Sequence, residues 1–495
     1  MKIKKYILEF TVFTCGAVVM IFELVGSRVL GPYVGTSIFV WTSLIGIILG
    51  SLSLGYYLGG KIADKKPDYR ALSFIIFVSA ICIGLTTLIK EPVLIFLQNA
   101  FANIKISSTI ASLILFMPAS VLMGMVSPYA AKLRISSLDN SGSTIGNLYA
   151  LSTVGSIVGT FLSGFYLIPT FGTNKLLIIL TAILLIVSLS LTSKQLSKIK
   201  LCILCISILG LATSDGLTKL LGKSNVIDVD TTYNRIWIYD HTDSKTGKPT
   251  KVMGINNENH SSMFLDSDEL VNEYTKYYHL ARHFNPDFKK TLMLGGAGYS
   301  FPKDFLLTYP DASIDVVEID PMMTTLAKQY FRLPENPRLH ILHEDGRVFL
   351  NKATETYDII FGDAFGSRYS IPYQLTTQEA VQREFDILSN NGVVILNTIS
   401  AIEGEQGQFL RAEYATYKKI FPQVYVLPVR DAQDEEKTQN IMLVALKSRQ
   451  KPVFTNVDPQ LNNYLQHTWT KEIVMDMPIL TDDFAPVDYY INKAI

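Results

Sequence analysis

The chain has 495 residues, 48% of them hydrophobic and 18% charged, and its 44 basic and 44 acidic residues balance to a formal net charge of zero. A soluble globular chain carries about a quarter charged residues, so part of this one is not built for water. The charge balance gives no reason to expect nucleic acid as a partner. Long apolar runs extend to about residue 213. A helix crossing a bilayer needs about 20 apolar residues, and runs near 6–27, 38–60, 71–90, 107–130, 145–169 and 174–192 meet that need. The opening MKIKK with its apolar run has the outline of a secretory leader. The run contains Glu23 and Arg28 and leads into further spans, so it reads as a retained first helix.

A seventh run, Leu201 to Ala212, has only 12 residues, a length more typical of an interfacial or re-entrant segment. Lysine and arginine cluster before the first span and after the second, fourth and sixth: Lys2, Lys4, Lys5; Lys61, Lys65, Lys66, Arg70; Lys132, Arg134; Lys194, Lys198, Lys200. The positive-inside rule puts that side in the cytoplasm. Six spans leave the C-terminal half there as well; a seventh would export it. Glu23 and Arg28 are costly in lipid, so they mark either a polar path or a helix-to-helix contact. Cys15, Cys82, Cys202 and Cys205 all lie in apolar segments, which argues against a disulfide framework. The CxxC spacing of Cys202 and Cys205 reads as apolar filler, with redox or metal chemistry as the other reading.

After this membrane domain (1–213), a segment from 214 to 285 combines strand-like alternation, NVIDVDTTYNRIWIYD and KVMGINNENHSSMFL, with an amphipathic helix near DELVNEYTKYYHLARHF. It reads as a small antiparallel β-cap. From 286 to 495 apolar strands alternate with helices: TLMLGG, SIDVVEID, RLHILHED, YDIIFGDAF and GVVILNTIS. That alternation predicts a parallel, doubly wound Rossmann-like sheet of the methyltransferase type. The fold class is therefore a multi-pass α-helical membrane domain followed by an α/β domain with a β-cap.

The first of these strands ends in Gly295-Gly296-Ala297-Gly298, a turn that either brings backbone and helix N–H groups close to a ligand or is simply a tight loop. Glu318 ends the second strand, where an acid can accept hydrogen bonds from both ribose hydroxyls; the structural alternative is a helix cap. Asp320, just before Pro321, is the better cap. Asp345 with Gly346 ends the third strand where an adenine amino group would lie, and Asp363 ends the fourth. Together they predict one ligand edge. Tyr274, Tyr277 and Tyr278 either wall an amine site or pack the cap helix. His279 and His283 have i, i+4 spacing without a metal-binding carboxylate pattern, so no metal is expected.

The glycine turn with GYSFPK, and VEIDP, EDGRVFL, DAF, IPYQLTTQE and LTDDFAPVD resemble the spermidine synthase (polyamine aminopropyltransferase) family, in its membrane-fused branch. So does FELVGSRVLGPYVGTSIFVWTSLIG; the likeness covers about residues 225–490 and the first two spans. The resemblance implies a transferase that moves an aminopropyl group from decarboxylated S-adenosylmethionine to a small-molecule amine. Glu318 then matches the ribose-binding acid, Asp345 and Gly346 the adenine contact, and Asp363 the catalytic aspartate. Two positions depart from the soluble members. Gly298 stands where they have an aspartate facing the donor's amine, and Gly366 where they have a second catalytic-loop aspartate. Asp482 and Asp483 would restore acidity if the C-terminal tail folds over the site. The departures keep methyl or other group transfer from intact S-adenosylmethionine open, and a polyamine or lipid transporter with a nucleoside sensor is a further alternative. The expected setting is a multi-pass cell-membrane protein in contact with lipid, its catalytic domain in the cytoplasm; a homo-oligomer is compatible with the sequence.

Overall fold

The structure, a computed structural model, describes residues 6–65, 67–101, 103–135, 141–191, 198, 200–201, 226–256, 258–364 and 371–492. Cys202, Cys205, Gly366, Lys2, Lys4, Lys5, Lys66, Lys194 and the 12-residue run beyond Leu201 lie outside the described residues. The chain divides into two compact units, Met1–Ser224 and Asn225–Ile495. The cap expected at 214–285 is not a separate body: its strands belong to the second unit.

The first unit is helical: α1 (Ile7–Val34), α2 (Ile38–Lys65), α3 (Tyr69–Ala100), α4 (Ile104–Leu115), α5 (Met117–Gly124), α6 (Val126–Arg134), α7 (Ser141–Leu162) and α8 (Ile168–Ser190). Among the described residues, five helices are long and apolar enough to cross a membrane, six if the bent pair Ile104–Leu115 and Met117–Arg134 is one span. That pair bends by 51°, and Pro118 at the break has no N–H to give the ladder. α7 lies against α1 because Gly155 and Gly159 carry no side chain; a Cβ there would sit 2.0 Å from Phe13 O and 2.4 Å from Ala17 O. Small residues at such a contact let two helix backbones approach closely. Glu23 is buried on α1, while Arg28 is half-buried.

The second unit opens with a four-stranded antiparallel sheet, β1 (Ile227–Asp230), β2 (Arg235–Thr242), β3 (Pro249–Ile255) and β4 (Glu258–Phe264), in sequential order. The polar turn after β2 closes on itself, with Asp243 accepting from the Thr246 N–H and hydroxyl. The amphipathic segment after β4 forms a short helical run, Glu273–Lys276, Tyr277–Leu280 and Ala281–Phe284.

The main sheet has β5 (Lys290–Leu294), β6 (Ser313–Glu318), β7 (Leu339–His343), β8 (Tyr357–Gly362), β9 (Leu388–Ser400), β10 (Gln423–Pro428) and β11 (Gln439–Leu446), in the order β10-β11-β9-β8-β5-β6-β7. The five strands from β9 to β7 in that row run parallel, as the alternation predicts. β10 and β11 are antiparallel additions, so the sheet is mixed. They form a hairpin on one edge, and a hairpin reverses direction where a helix crossover would not. Five helices matter for the site: α9 (Ser300–Thr308), α10 (Pro321–Tyr330), α11 (Gly346–Lys352), α12 (Gln378–Ile387) and α13 (Gln408–Ile420). Apolar side chains fill both faces, one layer including Ile314, Val316, Ile359 and Phe361 and the other Leu292, Ile360, Val394 and Leu443.

Candidate active site

Strand order reverses at β5, which pairs with β6 on one side and β8 on the other. In doubly wound sheets the crevice at such a reversal is where ligands bind. The two strand ends meet there. Gly295 has φ +93, and a Cβ on it would lie 2.4 Å from Asp363 O, so only glycine fits. Ala297 (φ +43) and Tyr299 (φ +55) are also left-handed, an arrangement costly for residues with side chains and typical of functional turns. The buried Tyr299 ring fills the space under Gly296, where a Cβ would meet it at 2.6 Å, and its hydroxyl bonds to Thr324 Oγ1 at 2.6 Å.

The N–H groups of the turn point at protein side chains, in keeping with the tight-loop alternative for its glycines. Gly296 and Ala297 N–H donate to Glu318 Oε2 at 2.9 and 3.0 Å, and Gly298 N–H donates to Ser261 Oγ at 3.0 Å. Glu318, buried at the end of β6, also accepts from Asp320 N–H at Oε1 (2.9 Å). It therefore braces the turn. A carboxylate has about four acceptor positions, so one is left for a hydroxyl. Asp320 caps α10 through the Met322 N–H, as its place before Pro321 predicts. Asp345 caps α11, accepting from Arg347 and Val348 N–H at Oδ1. Its Oδ2 has a long 3.5 Å contact from Gln374 Nε2, and Gly346 packs near Leu375. The parallel register brings Gly295, Glu318 and Asp363 level at the C-terminal ends of their strands, with Asp345 two residues past His343, the partner of Glu318.

Asp363 lies just beyond β8 in the wall of a cavity of about 440 Å³. Tyr274 OH donates to its Oδ2 at 3.0 Å and Asn397 Nδ2 to its Oδ1 at 3.0 Å. Burial pushes the Asp363 carboxyl up to about 6, with the two hydrogen bonds pulling the other way. Tyr274 is held far above its ordinary value by burial and by the Asp363 charge, so it stays a donor. The tyrosine trio splits. Tyr274 faces Asp363, Tyr278 is buried with its hydroxyl on Gly362 O (2.9 Å), and Tyr277 stacks on Tyr464 and bonds His467. Asn397 and Asn440 line the same cavity, and sequence reasoning misses both. A single polar residue inside GVVILNTIS carries no signal until β11 lies beside it.

Other expected residues lie elsewhere. Asp482 is paired with Arg347 (2.9 and 2.7 Å) and accepts from Thr377 Oγ1 at 2.7 Å. The tail thus reaches the Asp345 end of the edge, and neither Asp482 nor the exposed Asp483 lines the Asp363 cavity. Its acidity is neutralised by Arg347 instead of being offered to an amine. At Gly298, a Cβ would meet Ser261 Cβ at 2.6 Å, so β4 occupies the space an aspartate would need. His279 shares bonds with Tyr309 OH and Asp304 (both 2.8 Å), and His283 with Val453 O and Asn456. Both are satisfied by protein.

Residues 273–447 match the spermine/spermidine synthase domain. That match falls within the second unit. Its class is therefore that of a transferase. The chain is 25% identical over 285 residues to the polyamine aminopropyltransferase of Vibrio vulnificus (strain CMCP6), covering 54% of this chain and 92% of that one. It is 22% identical over 388 residues to polyamine aminopropyltransferase 1 of Streptomyces coelicolor (strain ATCC BAA-471 / A3(2) / M145), covering 72% of this chain and 69% of the relative. That likeness covers more of the chain than the second unit alone. Among solved structures, a probable spermidine synthase from Corynebacterium glutamicum ATCC 13032 is 22% identical with a TM-score of 0.41, covering 48% of this chain and 88% of that one. The matched region holds Tyr274, Gly295, Glu318, Asp345, Asp363, Asn397 and Asn440, and ends before Asp482.

Proposed function

We propose that the chain is a multi-pass membrane enzyme that transfers an aminopropyl group from decarboxylated S-adenosylmethionine to an amine, with Asp363 as the base. The observation that carries this reading is the Asp363 carboxylate, tied down by Tyr274 and Asn397 where β5 and β8 part. The sulfonium carbon is already electrophilic, so the chemistry needs a neutral amine held in line and a carboxylate near its nitrogen. The amine nitrogen forms the new C–N bond as the C–S bond breaks. The electron pair stays on sulfur, releasing 5′-methylthioadenosine, and the surplus N–H proton passes to Asp363. Glu318, with its remaining acceptor position, would take a ribose hydroxyl. Asp345 Oδ2 would take the adenine amino group, beside Gly346.

The five long apolar helices among the described residues (six if the bent pair is one span), the positive-inside pattern and the likeness that extends beyond the second unit support membrane anchoring with the catalytic unit in the cytoplasm. Gly298 favours one second reading. With Ser261 packed where a donor-facing aspartate would stand, intact S-adenosylmethionine could serve as donor of another group. Purified full-length chain incubated with each nucleoside and a panel of amines, followed by mass spectrometry, separates the two. Aminopropylated amine formed only with the decarboxylated nucleoside is the expected result. Methylated product, or S-adenosylhomocysteine, would replace this reading with the second one.

A further inference from the structure

Asn397 and Asn440 stand on β9 and β11, where Asn397 pairs with Met442 and Asn440 with Ile399. They are diagonal neighbours on one face of the sheet, within side-chain reach. Asn397 is buried, Asn440 half-buried, and both line the cavity that holds Asp363. Nothing in the transfer chemistry described above uses them beyond one hydrogen bond.

The polarity of this pair follows from chemistry. An ionised carboxylate only accepts, so Asn397 must turn Nδ2 toward Asp363 Oδ1, 3.0 Å away. Its Oδ1 then faces Asn440, which must answer with Nδ2, also at 3.0 Å. That leaves Asn440 Oδ1 pointing away from the pair. Among the described residues it has no protein partner, on a side chain that lines the cavity. An acceptor oxygen held by a two-amide chain to the base is suited to an N–H of the same amine that the base must deprotonate.

We propose that Asn397 is a positioning residue that fixes Asp363, and that Asn440 Oδ1 is a substrate contact accepting an N–H from the acceptor amine. The inference rests on the aminopropyl-transfer reading for its second half only. Tyr274 and Tyr278 from the helical run face Asp363 as well, and Glu273, His260 and Arg430 share the cavity wall. None of these changes when the amides are replaced. Loss of the Asn397 donor removes one of the two bonds that favour the carboxylate, so Asp363 should titrate at higher pH than the value near 6 it has now.

The test uses full-length wild type, Asn397→Leu, Asn440→Leu and the double variant. Infrared difference titration against Asp363→Asn, without substrate, reads the Asp363 midpoint. It should rise by about one pH unit in Asn397→Leu, by less in Asn440→Leu, and no further in the double variant. Steady-state kinetics should show an amine KM raised about tenfold in Asn440→Leu with little change in kcat, the pattern of lost binding that is uniform along the reaction. An unmoved midpoint in natively folded Asn397→Leu overturns the positioning role. An unchanged amine KM in Asn440→Leu overturns the contact. If leucine at 397 does not fold, Asn397→Ser carries the same readout, because its hydroxyl is too short to replace the amide. Wild type inactive toward every amine would end the transfer reading and the Asn440 contact with it. The midpoint would still decide the role of Asn397, since it needs no turnover.

Discussion

Asp363 can take a proton from an amine only as a carboxylate, and burial has raised its pKa to about 6. Below that value the site is increasingly protonated and idle; above it the base is free. Transfer measured as kcat/KM should therefore climb with pH through about 6 and level off beyond, apart from the amine's own titration. Asp363→Asn should remove that limb and lower kcat by about 10²–10⁴, while calorimetry still registers nucleoside binding. Full activity in Asp363→Asn would remove it as the base. The positions of Asp363, Glu318 and Asp345 are legible in the sequence because each acid lies at the end of an apolar strand. What each does is less legible. Glu318 spends two acceptor positions on the glycine turn and a third on the Asp320 N–H, a use that shows only when the turn curls back over the strand end. Asp482 looks acidic and available in the sequence, yet Arg347, far away along the chain, neutralises it.

At the scale of elements, α12 and α13 pack together with two carboxyls between dry surfaces. Glu384 on α12 and Glu413 on α13 are both buried, and Tyr417 OH donates to Glu384 Oε2 at 2.8 Å. Burial pushes both carboxyls up from about 4.5 to about 8, and for Glu413 the neighbouring Glu384 adds to the shift. The folded state thus holds protons that the unfolded chain releases in this window. Stability must then fall as pH rises from about 4.5 to about 8 and level off above, where both states have lost them. Glu413→Gln, which needs no proton, should unfold at a higher temperature than wild type at pH 8 and lose most of that advantage at pH 5. Equal melting shifts at both pH values would contradict this proton linkage. The parallel strands β5 to β9 are readable because helices separate them in sequence. The β10–β11 hairpin is not. QVYVLP and QNIMLVAL are separated by the polar stretch VRDAQDEEKT, and that pattern means a hairpin only once the parallel edge at β9 has been located.

The whole molecule joins a unit of long apolar helices to an α/β unit. The apolar spans are the easiest feature of the chain to read, since about 20 apolar residues in succession are the length a bilayer core demands. The bend at Pro118 is hidden, because hydropathy averages over it. Washing membranes with alkaline carbonate should leave the full-length chain in the pellet, and detergent should release it. A reporter fused after Ile495 should be active in the cytoplasm. Activity only outside would require the odd number of crossings that the 12-residue run beginning at Leu201 leaves open.

Aminopropyl and methyl transfer differ in which carbon the amine attacks. Decarboxylated S-adenosylmethionine labelled separately in the aminopropyl chain and in the S-methyl group distinguishes the two in one assay. Wild type should pass the aminopropyl label to the amine and leave the methyl label on 5′-methylthioadenosine in equal amount. Methyl label on the amine, or aminopropyl label still on the nucleoside after prolonged incubation with a full amine panel, would contradict it.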